Sequence, residues 1–121
     1  LLNTGKIIVP EDVVTGSNGK IFDIGPIAIE KLRPIIKESK LVLWNGPMGQ
    51  YENGYKIATL ELAKLIAENA RKSIVGGGDT ISALTELGIL DKFTFVSTGG
   101  GAMLDFLAKG TLPGIEALNT K

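Results

Sequence analysis

Two glycine triplets, Gly76-Gly77-Gly78 and Gly99-Gly100-Gly101, each follow a short apolar run and precede a segment with helical spacing. In the first, Ser73-Ile74-Val75 leads into Gly76-Gly77-Gly78-Asp79-Thr80; in the second, Phe95-Val96-Ser97-Thr98 leads into Gly99-Gly100-Gly101-Ala102. A strand that passes through bare backbone into a helix aims unpaired N–H groups and a positive helix end at one point. Such a point suits a phosphate or another compact anion. Two in tandem suit chemistry on a polyphosphate.

Asp79, at the start of the first helix, has two roles open to it. It can cap the helix by accepting a backbone N–H. Beside bound phosphates it can instead contact the Mg²⁺ that must separate like charges, with the Thr80 hydroxyl as a nearby oxygen donor. The second triplet carries no acid. A helix start without a carboxylate suits a group that gains negative charge during transfer; the plain alternative is a tight strand-to-helix turn.

A third loop follows the apolar run Leu41-Val42-Leu43-Trp44 and reads Asn45-Gly46-Pro47-Met48-Gly49-Gln50-Tyr51-Glu52. Turn chemistry with an acid at a helix start accounts for it. So does a site in which Asn45 faces phosphates, the Gly46–Gly49 backbone lines a flat pocket and Glu52 accepts from ribose hydroxyls. None of the three loops matches G-x-x-x-x-G-K-[ST] or G-x-G-x-x-G.

The elements that must position these loops follow from apolar spacing. Lys6 to Pro10 reads as a short buried strand ended by proline. Val13 to Asp23, with Gly16-Ser17-Asn18-Gly19 at its centre, reads as a small hairpin or an extended excursion. Gly25-Pro26 opens a helix that Pro34 should kink or interrupt. Leu41–Trp44 is a second strand, and Tyr55 to Ala70 a helix with Ala58, Leu62, Leu65 and Ile66 inward. Ser73–Val75 is a third strand, with a helix over Asp79–Leu87 closed by Gly88; Thr94–Ser97 is a fourth, with a helix over Gly101–Lys109 closed by Gly110.

Strands apolar on both sides imply a parallel sheet covered on both faces. The expected fold is therefore α/β: a doubly wound, Rossmann-like parallel sheet of about four strand–helix units, with ligands at the carboxyl ends of the strands. A shift of 23 residues lays one glycine triplet on the other, the same local solution used twice.

The 121 residues hold 13 basic and 13 acidic side chains, so no net field draws in nucleic acid or an acidic membrane. There is no cysteine and no histidine. Disulfides, thiolate catalysis, cysteine-ligated metal and the usual imidazole base are thereby excluded. No apolar stretch approaches the roughly 20 residues that span a bilayer. The opening Leu1-Leu2-Asn3-Thr4-Gly5 carries neither an initiator methionine nor a signal-peptide pattern, and reads as the start of a piece of a longer chain.

Asp23-Ile24-Gly25-Pro26, Trp44-Asn45-Gly46-Pro47-Met48-Gly49, Val75-Gly76-Gly77-Gly78-Asp79-Thr80, Ser97-Thr98-Gly99-Gly100-Gly101-Ala102, Leu112-Pro113-Gly114-Ile115 and Ala117-Leu118 follow in order. This ordered set resembles the C-terminal, nucleotide-binding part of phosphoglycerate kinase, from about Lys6 to Leu118. The resemblance makes residues 1–121 a portion of that domain. It implies a cytoplasmic, glycolytic phosphotransferase that moves a phosphoryl group between 1,3-bisphosphoglycerate and ADP with Mg²⁺.

Carried over by position, Glu52 would hold the ribose, Gly46, Met48 and Gly49 would line the nucleoside pocket, and Asn45 would lie near the phosphates. Gly77, Gly78, Asp79 and Thr80 would hold the phosphate tail, Asp79 its Mg²⁺, and Gly99, Gly100 and Gly101 would face the transferred group. Ile21-Phe22, Gln50 and Tyr51 depart from the family's usual residues, and none of these removes a proposed phosphate contact. The family's N-terminal domain, which binds phosphoglycerate, and its catalytic lysine have no counterpart here, so the piece alone should be inactive. Two other readings remain open: a non-catalytic α/β module that binds a nucleotide or phosphate, and a structural domain whose glycines serve turns.

Overall fold

The computed structural model describes residues 2–120. Strands β1 (Val13–Thr15) and β2 (Ile21–Ile24) come first, then α1 (Pro26–Glu38), β3 (Val42–Asn45), α2 (Ile57–Asn69), β4 (Ser73–Gly76), α3 (Gly78–Leu87), β5 (Phe95–Ser97), α4 (Gly101–Lys109) and α5 (Pro113–Asn119). Short 3₁₀ turns occupy Leu2–Thr4, Tyr51–Asn53 and Leu90–Lys92. β1 and β2 pair antiparallel, while β3, β4 and β5 form a parallel sheet in that spatial order. The helical crossovers β3–α2–β4 and β4–α3–β5 are what parallel neighbours require.

One face of the parallel sheet makes the core. Trp44, Val75 and Val96 stand in register across the three strands. Trp44 and Val75 are buried in one cluster with Ala58, Leu62, Leu65 and Ile66 of α2, Leu84 of α3, and Ile29 and Ile36 of α1. The four α2 positions expected to face inward all do. The row one residue earlier, Leu43–Ile74–Phe95, lies on the opposite face. There Leu43 is 45% exposed and Phe95 57%.

The start of α1 is held from a distance. The Gly25 N–H donates to the Asp12 carbonyl at 2.8 Å. The Asp12 carboxylate accepts the N–H of Ile27 (3.0 Å) and of Ala28 (2.6 Å). Gly25 itself offers no side-chain cap, so a carboxylate 15 residues upstream of Ile27 does that work. A side chain at Gly25 would collide with that same carboxylate.

Two expectations are corrected. Lys6–Pro10 forms no strand, and Ile7, Ile8 and Val9 are exposed. A strand needs a neighbouring ladder for its N–H and C=O groups, and among the described residues none runs beside this segment. The parallel sheet therefore has three strands where four strand–helix units were expected. Pro34 neither ends nor splits α1, which runs unbroken from Pro26 to Glu38. Its missing N–H removes one helical bond, while Ile29 and Ile36, buried on either side of it, keep both halves on the core.

Candidate functional site

The strand register brings the three glycine-rich loops together. Asn45 of β3 pairs with Gly76 of β4, and Gly76 with Ser97 of β5, as the last row of the sheet. The loops that begin with Gly46, Gly77 and Thr98 therefore leave from one carboxyl edge, the expected ligand edge of a parallel sheet.

At the first triplet the backbone turns at Gly77, with φ +94° and ψ 132°, into the first turn of α3. A Cβ at Gly77 would also stand 3.1 Å from the Gly46 nitrogen. The neighbouring Gly76 is more crowded still, since a Cβ there would lie 2.8 Å from Asn45 Oδ1 and 2.9 Å from Met103 Cε. The first α3 N–H with a protein acceptor is that of Ile81, which donates to the Gly77 carbonyl at 2.9 Å. Those of Gly78, Asp79 and Thr80 lead it as the free donors of a helix start.

Asp79 is not the helix cap. Gly77 occupies the cap position, and no side chain caps α3. The Asp79 carboxylate lies in the first turn with no hydrogen bond or ion pair among the described residues. Thr80 is turned the other way. It is fully buried, and its Oγ1 accepts the Gly46 N–H at 3.1 Å.

The loop after β3 is stitched down along its length. The Met48 N–H donates to Thr59 Oγ1 at 2.9 Å, and the Gln50 N–H to the Phe22 carbonyl at 2.9 Å. The Met48 side chain packs against the core. Gly49 passes so close to the Asp23 carboxyl that a Cβ would stand 2.5 Å from it. Asp23 is 3% exposed; its carboxylate accepts the Ile24 N–H (2.9 Å) and the Ala58 N–H (3.2 Å), capping α2. Glu52 is exposed in the Tyr51–Asn53 turn and has no protein partner.

The amide of Asn45 is less settled than its neighbours: its Oδ1 is buried and has no hydrogen-bond partner. At the second triplet the Gly99 N–H is already held by Ser97 Oγ at 3.2 Å, and Gly100, at φ +52°, leads into α4. Gly99 and Gly101 are exposed.

The sheet edge thus assembles Asn45, Gly46, Gly77, Gly78, Asp79, Thr80, Gly99, Gly100 and Gly101, with Met48, Gly49 and Glu52 along one loop leaving it. A cavity of about 560 Å³ lies elsewhere. It is apolar, between the hairpin, α1 and the start of α2, and none of the expected site residues lines it. The site is an open shelf. Sequence reasoning missed Thr59, Asp23 and Met103, whose partners lie far along the chain. The one local signal was Asp23 itself, an acid inside an otherwise apolar strand.

Among the described residues no group of three or more His, Cys, Asp or Glu side chains could hold a metal ion by itself. No helix among them is long and apolar enough to cross a membrane.

Crossover helices packed on a parallel sheet, with glycine-opened helices at its carboxyl edge, define a Rossmann-like α/β unit. The sequence model described as phosphoglycerate kinase matches residues 3–110, and the chain belongs to the phosphoglycerate kinase family. It is 47% identical to the phosphoglycerate kinase of Orientia tsutsugamushi, an alignment covering 98% of this chain and 32% of that protein. With that of Leptospira biflexa it shares 48% identity over 83% of this chain and 26% of the relative. The solved phosphoglycerate kinase of Pyrococcus horikoshii superposes with a TM-score of 0.78 at 35% identity, covering 92% of this chain and 32% of that one. The chain spans about a third of the length of the first curated relatives it matches.

Proposed function

We propose that this chain is the nucleotide-holding portion of a phosphoglycerate kinase, which moves a phosphoryl group between 1,3-bisphosphoglycerate and ADP. One observation carries the reading. Asn45, Gly76 and Ser97 stand side by side at the carboxyl edge, so the loops that carry the family resemblance open at one place.

The N–H groups of Gly78 and Thr80 and the positive end of α3 would hold the phosphate tail. Thr80 contributes mainly by fixing Gly46, since its hydroxyl is already engaged. Gly46, Met48 and Gly49 would form the wall beneath the nucleoside, and Glu52, free of protein partners, would accept from the ribose hydroxyls. The side-chain N–H of Asn45 would donate to a phosphate oxygen.

Asp79 is the residue that would hold Mg²⁺. A single unpaired carboxylate fits, because this ion takes one or two carboxylates and fills its other positions with phosphate oxygens and water. When bound, the ion supplies positive charge between the carboxylate and the phosphates. Gly100 and Gly101 would present the second helix start to the group in transfer, where fixed dipoles stabilise developing charge without reorganising. Phosphoryl transfer rests on positioning and charge stabilisation, which suits a chain with no imidazole or thiol.

Phosphoglycerate would bind through a further domain, and the 121 residues alone would support no turnover. Such an enzyme works in the cytoplasm. The test is calorimetric titration of ADP, with and without Mg²⁺, into the full-length protein, beside a coupled phosphoglycerate-dependent assay. Mg²⁺-dependent ADP binding with turnover is expected. Binding without turnover would favour a non-catalytic nucleotide module, and no binding would remove the nucleotide reading.

A further inference from the structure

The buried ring of Tyr51 belongs to a small polar cluster that the proposed chemistry leaves unused. Its hydroxyl donates to Glu86 Oε2 at 3.0 Å. The ammonium of Lys56 lies 3.6 Å from the same oxygen and 4.6 Å from the centre of the Tyr51 ring. Glu86 is in the last turn of α3, whose first turn carries Asp79 and Thr80.

We infer that the Tyr51–Glu86 contact is a latch that aims Glu52 at the ribose, which makes Tyr51 a positioning residue for the nucleotide. The inference rests on the nucleotide reading above.

The geometry is that of a loop pinned at two points on one rigid rod. Gly46 is held at the N-terminal turn of α3 through Thr80, and Tyr51 at its C-terminal turn through Glu86. At 1.5 Å per residue these anchors are on the order of 10 Å apart along the helix. A segment tied at both places cannot swing about either. Tyr51 and Glu52 are consecutive in a 3₁₀ turn, where successive side chains diverge by about 120°. Holding Tyr51 inward therefore fixes the direction in which the exposed Glu52 projects. Lys56 adds a cation against both partners.

The experiment compares the affinities of ADP and 2′,3′-dideoxy-ADP, both with Mg²⁺, for the full-length protein and its variants. The unaltered protein should prefer ADP by about tenfold, the scale of a hydrogen bond to a carboxylate. Tyr51→Phe should compress that preference to about threefold or less, with Glu86→Leu behaving alike. Glu86→Gln keeps an oxygen acceptor and should retain the preference. A general loss of stability, followed by thermal unfolding, would not change the ratio of two ligands.

A Tyr51→Phe protein with the full ribose preference would overturn the latch. So would an unaltered protein that binds both nucleotides equally, since Glu52 then has nothing to aim at. Failure of the unaltered protein to bind ADP at all would instead overturn the nucleotide reading itself.

Discussion

The backbone N–H of Gly46 donates to the hydroxyl of Thr80, 34 residues further along, across 3.1 Å. That bond joins the loop after β3 to the first turn of α3, and Thr80 is fully buried where it forms. Thr80→Val keeps the shape and removes the acceptor, leaving a partly buried donor unmet. Stability should fall by about 1–3 kcal/mol in urea unfolding, and ADP affinity should fall with it. Thr80→Ser, which keeps the hydroxyl, should retain most of both.

Asp79 calls for the opposite result. Its carboxylate makes no protein hydrogen bond, so its only folding contribution is a favourable charge at the start of α3. Asp79→Ala should cost about 0.3–1 kcal/mol of stability, while Mg²⁺-dependent ADP binding and turnover drop steeply. A stability loss beyond that range with turnover little changed would return Asp79 to a structural role.

Adjacent glycines at the first triplet should respond with opposite signs. At Gly77, φ +94° with ψ 132° is strained for any residue with a Cβ, and Gly77→Ala should cost about 1–3 kcal/mol. At Gly78 a Cβ would meet open space at the first position of α3. Gly78→Ala should be neutral or stabilising by up to about 1 kcal/mol. Equal effects at the two positions would contradict the turn geometry.

Tyr51 ties stability to alkaline pH. Burial, then the hydrogen bond to Glu86 and that carboxylate's charge, raise its hydroxyl above the ordinary tyrosine range, with Lys56 opposing. The folded state thus keeps a proton that the unfolded chain releases at about pH 10. The contribution is fully present below that pH and is lost as pH rises through the higher folded value. Denaturant unfolding at a series of alkaline pH values should show this decline in the unaltered protein and a shallower one in Tyr51→Phe.

The bare row of Leu43 and Phe95 should drive association of the 121-residue chain, because large apolar patches and open strand edges seek partners. Light scattering should find multimers whose population falls when Leu43 and Phe95 are both replaced by glutamate. A stable monomer at high concentration would refute this.

Much of the fold was legible because local chemistry and tertiary demand agree. Gly88 and Gly110 end their helices where the spacing of apolar residues stops, and Gly16–Gly19 turns its hairpin. Both glycine triplets leave one edge because parallel strands must end together. Lys6–Pro10 misled because an apolar run specifies a strand only when a partner ladder lies beside it. Pro34 does not interrupt α1 because burial on both sides of it outweighs one lost helical bond.

At the site, residue types announced glycine-opened loops at the strand ends, whereas the contacts that hold those loops still could not be read. Asp23 meets Ala58 35 residues away, and Tyr51 meets Glu86 at the same separation. Apart from the acid that Asp23 places in an apolar strand, nothing local announces either pair. Asp79 was open to a capping role because an acid beside a helix start so often caps; here the backbone turn at Gly77 takes that position.

The bonds that brace the three loops come chiefly from neutral hydroxyls: Thr80 for Gly46, Thr59 for Met48, Ser97 for Gly99. Ionic strength acts on exposed charges and hardly at all on such bonds. Grip on an anionic ligand and rigidity of the frame therefore answer to different solution variables. Added salt should loosen the first while amide exchange in the loops stays as slow as before, so a single salt series would separate what the shelf is from what it holds.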